Sequence, residues 1–153
     1  MHLLLFDALV GISNLSAQSS DSKQVTPTKP KATLSGVREQ RDVVLGKKKR
    51  TLALLQQVSV WYEVDPKHPE ALAKAKELRQ FYKSFLEESL KLNRMYQEVA
   101  AAANSWGKLS KEEQDQWTQR DNDILEIINS DEIDSKLRQL EAMGFDHTLD
   151  GWK

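Results

Sequence analysis

The sequence predicts an all-α fold: an elongated three- to four-helix bundle with a long central helix and an extended N-terminal arm. Three observations carry that expectation. Apolar residues recur every seven positions at Ala71, Leu78, Phe85, Leu92 and Val99, the period of packed helices. Glycine (6) and proline (4) are scarce, and most lie outside the periodic segments, which disfavours a turn-rich β fold. The stretch SKEE, Ser110 to Glu113, has the spacing at which a serine caps the third amide of a helix and a glutamate reaches back.

The chain has 153 residues, enough for one domain of ordinary size. With 39% apolar and 29% charged residues it fits a narrow-cored bundle. There is no cysteine, so disulfides, thiol catalysis and cysteine–zinc sites are excluded. The net charge of −1 conceals an asymmetry. Basic residues dominate positions 1–50, and acidic residues dominate 109–153. Such a layout suits a basic arm on an anionic partner, or head-to-tail contact between copies.

Residues 1–35 form the predicted arm. From Ser13 to Ser35 the chain reads SNLSAQSSDSKQVTPTKPKATLS, too polar to offset its own ordering entropy. Ahead of it, Leu3, Leu4, Leu5, Phe6, Leu9 and Val10 make a short apolar anchor for a partner's groove. The other reading of this opening is a signal peptide, which makes the chain an exported helical protein. Against it, no Lys or Arg precedes the apolar run, Asp7 interrupts it, and Leu15 is a poor residue before a cut at Ala17. No apolar run reaches the roughly 18–20 residues a membrane-spanning helix needs.

The bundle is placed at 36–143, with a tail at 144–153. Ser35 is the expected cap of the first helix. That helix runs from Val37 towards Val64, with Gly46 a weak point and a β-rich end at SVWYEV. In the central helix, Phe81, Met95 and Ala102 are the expected companions of the seven-residue line, and Ala75, Tyr82, Tyr96 and Ala103 widen it. Lys74, Glu88 and Ser89 read as breaks. Leu86 and Leu90 read as a second apolar flank. A third helix follows Ser110, with Trp117, Ile124 and Ile128 on one face. A fourth spans Glu132 to Met143, with Ile133, Leu137 and Leu140 inward and Gly144 as its stop.

Three short stretches resemble known families. DPKHPEA, from Asp65, resembles the joint of tetratricopeptide repeats, which implies a second helix pair within a 34-residue period. One uninterrupted helix pattern follows instead, so Pro69 and Glu70 read as a helix start. NSWGKLSKEEQDQW, from Asn104, resembles part of a high-mobility-group box, which implies DNA bending. The basic opening of that box is absent here. LEAMGF, from Leu140, resembles a turn of ubiquitin-associated domains. Only eight residues follow Phe145, too few to complete one.

No catalytic, cofactor-binding or metal-binding constellation is predicted. His2, His68 and His147 have no ligand spacing, and there is no phosphate-binding glycine loop. The basic cluster Lys47, Lys48, Lys49 and Arg50 could meet an anionic surface or nucleic acid. Aromatic residues do not interleave it, so nucleic acid is the weaker reading. Trp106 and Trp152, near predicted helix or chain ends, are candidate anchors for a protein partner. The expectation is a non-enzymatic structural or adaptor subunit whose partners are other protein subunits, possibly copies of itself.

Overall fold

The computed structural model describes residues 32–103 and 106–146. They form four α-helices: α1 (Leu34–Val64), α2 (Pro69–Ala102), α3 (Lys111–Ile128) and α4 (Asp131–Ala142). A 3-10 turn, Trp106–Lys108, precedes α3. No strand occurs among the described residues. The fold is an all-α helical bundle, as the seven-residue period requires. The predicted arm lies outside the described residues up to Lys31. So do Leu3, Leu4, Leu5, Phe6, Leu9, Val10 and Trp152.

The chain divides into two compact units. The first contains the start of α1, residues 91–102 of α2, and α3 through Ile127. The second contains the rest of α1, α2 through Leu90, and α4 with its following residues. The described part of the first unit holds seven Lys/Arg and eight Asp/Glu; that of the second holds eleven and twelve. In its described part, each unit combines early basic residues with late acidic ones and is close to neutral.

The predicted line on α2 is the core. Ala71, Leu78, Phe85 and Leu92 are fully buried, and Val99 nearly so. Its companion differs from the expected one. Ala75, Ser89 and Tyr96 are buried, Tyr82 is half-buried, and Phe81 and Met95 are only half-buried. The seam thus steps four, three, four, three along α2. Ser89 is a member of it and not a break. Leu86 is half-buried and Leu90 is 62% exposed, so the expected second apolar flank is only partly covered.

The helix ends follow local chemistry. The first cap is Thr33, two residues ahead of the expected Ser35. Its hydroxyl accepts the Gly36 amide at 3.0 Å, and its carbonyl accepts Val37 at 2.9 Å. α1 continues unbroken through Gly46 and through SVWYEV. Between α1 and α2, His68 N–H donates to the Asp65 carbonyl and Lys67 N–H to its carboxylate. His68 then caps α2, its Nδ1 accepting the Glu70 amide at 3.1 Å. Its ring stacks on Trp61 at 4.4 Å. Pro69 occupies the first helical position, where its missing N–H costs nothing.

The capping box before α3 forms as read: Glu113 N–H donates to Ser110 Oγ, and Ser110 N–H to Glu113 Oε2 at 2.8 Å. α4 buries Ile133, Leu137 and Leu140 and closes with a Schellman motif. Phe145 N–H reaches the Leu140 carbonyl and Gly144 N–H that of Glu141, with Gly144 at φ 100°. Phe145 is buried, edge-on to Tyr62 and beneath the Arg79 guanidinium, while Arg79 Nε donates to the Asp146 carbonyl. LEAMGF is therefore a Gly-capped helix end that locks an aromatic residue into the second unit.

Two stability measurements test this account. Gly46 lies inside α1, and a Cβ there would meet nothing within 4 Å. Gly46→Ala raises the unfolding free energy by about 0.5–1 kcal/mol, read by chemical denaturation. Phe145→Ala lowers it by about 3–5 kcal/mol, the cost of emptying a buried aromatic site.

Candidate functional site

A recess of about 220 Å3 opens in the first unit. Its residues come from three helices. On α1, Val37, Gln40 and Val44 turn inward, which brings Arg38 and Arg41, one turn apart, to the border of that buried face. Leu34 and Val37 supply apolar wall. From α2 comes Tyr96, and from α3 come Arg120, Asp123 and Ile124. Three arginines and one aspartate thus line the recess.

The polar groups of the wall are held in place. The Arg120 guanidinium lies over the Trp117 ring at 4.8 Å. Trp117 in turn stands 6.2 Å from the Tyr96 ring. The Tyr96 hydroxyl donates to the Asp121 carboxylate. Burial pushes the Asp121 carboxyl up to about 6. Gln119 donates its amide to Asp123 at 3.1 Å. Guanidinium forks suit bidentate contact with carboxylate or phosphate, so the recess can hold an oxyanion. Among the described residues there is no group of three or more His, Cys, Asp or Glu placed to hold a metal ion.

The second unit receives the basic cluster and splits it. Lys47 Nζ lies 5.1 Å from the centre of the Phe81 ring, and Arg50 lies over the same ring. Arg50 also pairs with Glu77, whose carboxyl it holds below the usual range; Lys74 joins at 3.7 Å. Lys49 is exposed and Lys48 half-buried. Two of the four charges thus serve α1–α2 packing. Trp106 opens the 3-10 turn. Trp61 and Trp117 are each half-buried.

The second unit also carries a counterpart of the Tyr96 bond. Tyr82, fourteen residues earlier on the same line of α2, donates to Asp134 at 3.3 Å. Ser130 donates to the other oxygen of that carboxylate at 2.9 Å. Burial, with Asp134 beside it, pushes the Tyr82 hydroxyl up to about 12. The sequence reading missed Arg38, Arg41, Arg120 and both tyrosine–aspartate bonds. The only signal available was the polar flank of an otherwise apolar α1 face.

No family model, no curated protein and no solved structure matches the chain. No helix among the described residues is long and apolar enough to cross a membrane.

Asp121 makes a pH dependence that can be measured. Its carboxyl binds a proton more tightly folded than unfolded, rising from 3.8 to about 6. Its contribution therefore favours folding fully below the unfolded value and is lost as pH rises through about 6. Asp121→Asn flattens the stability profile between those limits and leaves stability at neutral pH equal or higher, read by thermal unfolding across pH.

Proposed function

We propose that this chain is a non-enzymatic structural or adaptor subunit of a larger protein assembly. It acts through the surface of the helical bundle and through an N-terminal anchoring arm. The observation that supports this reading is the joint between α1 and α2. Val60, Val64 and Leu72 flank it at 51%, 73% and 57% exposure. Single exposed aliphatic residues are ordinary on a protein surface. Here Val64 immediately precedes, and Leu72 follows by one helical turn, a joint held by Asp65, His68 and the Trp61 stack. A rigid apolar tip loses little entropy when another subunit covers it.

The arm supplies the second contact in this reading. Leu3, Leu4, Leu5, Phe6, Leu9 and Val10 insert as a short apolar segment into a neighbour's groove. The polar stretch after them serves as tether.

The test is affinity capture of the tagged full-length chain from its native source at low and high salt. The expected result is a stoichiometric set of proteins that survives high salt. The double variant Val64→Asp, Leu72→Asp lowers affinity for that set at least about tenfold, because each lost apolar contact contributes roughly 1.5–3 kcal/mol. Its melting temperature stays unchanged. Deleting residues 1–31 weakens capture independently. A chain that runs as a lone monomer, with capture unmoved by either change, ends the proposal.

A further inference from the structure

We propose that the recess of the first unit binds a small oxyanion, a carboxylate or phosphate carried on an apolar or aromatic body. This does not rest on the docking reading above.

The chemistry of the lining selects the ligand. Arg38 and Arg41 of α1 and Arg120 of α3 line the recess together with the apolar residues Leu34, Val37 and Ile124. One carboxylate, Asp123, shares the lining, and Gln119 already donates to it. The Tyr96 hydroxyl is engaged with Asp121, so at this wall the tyrosine offers mainly its ring. Positive charge therefore exceeds negative in the lining itself, although the described part of the unit is close to neutral. The Arg120 guanidinium lies over the Trp117 ring, a contact that limits the side-chain freedom left to lose on binding.

Size narrows the choice further. About 220 Å3 is below the roughly 300–1,000 Å3 of ordinary small-molecule sites. A nucleotide or a cofactor would not fit inside. A single ring or short chain ending in an oxyanion does, with its charged end at the guanidiniums and its body against the aliphatic wall. A bare inorganic anion would leave that wall unused.

Titration of the full chain, followed by amide NMR and calorimetry, tests this. The probes are phenyl phosphate and benzoate, with inorganic phosphate as the comparison. Expected is saturable binding of at least one aromatic probe, with shifts confined to amides of Leu34 to Arg41 and Arg120 to Ile124. Inorganic phosphate binds more weakly. Arg120→Gln and Arg38→Ala each weaken binding about tenfold or more, the loss expected for a charge-assisted hydrogen bond. Arg38 is exposed, so its variant keeps the fold and preserves the test if Arg120→Gln disturbs Trp117. Three results overturn the proposal. One is no saturable binding of either aromatic probe. Another is shifts spread over exposed lysines such as Lys49 and unmoved by both variants. The last is inorganic phosphate binding as tightly as the aromatic probes.

Discussion

The structure depends on one requirement: α2 must bury a line of side chains that steps four and three residues along its whole length. Ala71, Ala75, Leu78, Phe85, Ser89, Leu92, Tyr96 and Val99 are all buried along it, with Tyr82 half-buried. A helix repeats every 3.6 residues, so a line stepping 3.5 on average drifts slowly around α2 and stays buried only where other helices follow it. α1 does so in both units, and each unit adds one shorter helix. The other elements are placed by what that line demands of them.

Within this apolar seam, polarity appears at defined points. Tyr82 and Tyr96 each send a hydroxyl to an aspartate on the shorter helix of their unit. A hydrophobic stripe tolerates sliding by a turn, whereas a hydroxyl and a carboxylate that must meet do not. The two bonds therefore fix how α3 and α4 sit along α2. The desolvation of Asp121 is the energetic cost of that definition.

Local chemistry was legible in the sequence; juxtaposition was not. The box at Ser110 and Glu113, the helix start at Pro69 and the stop at Gly144 depend on neighbours a few residues apart. So does the line from Ala71 to Val99. Thr33 was missed because Ser35 is an equally good cap by composition, and only the position of Val37 in the core decides between them. The companion line was misassigned because Ser89 is polar and Phe81 and Met95 are large. Burial followed geometry over hydrophobicity. Arg38 and Arg120 are eighty-two positions apart. Nothing in either neighbourhood announces that folding brings them to one recess.

The joint from Asp65 to His68 has a kinetic consequence. Four residues connect two helices whose contacts include Arg50 with Glu77 and Lys47 with Phe81. Closing so short a loop costs little chain entropy, and the turn is fixed by its own hydrogen bonds before distant segments arrive. The α1–α2 pair nearest the joint therefore forms its contacts at a low cost in chain entropy.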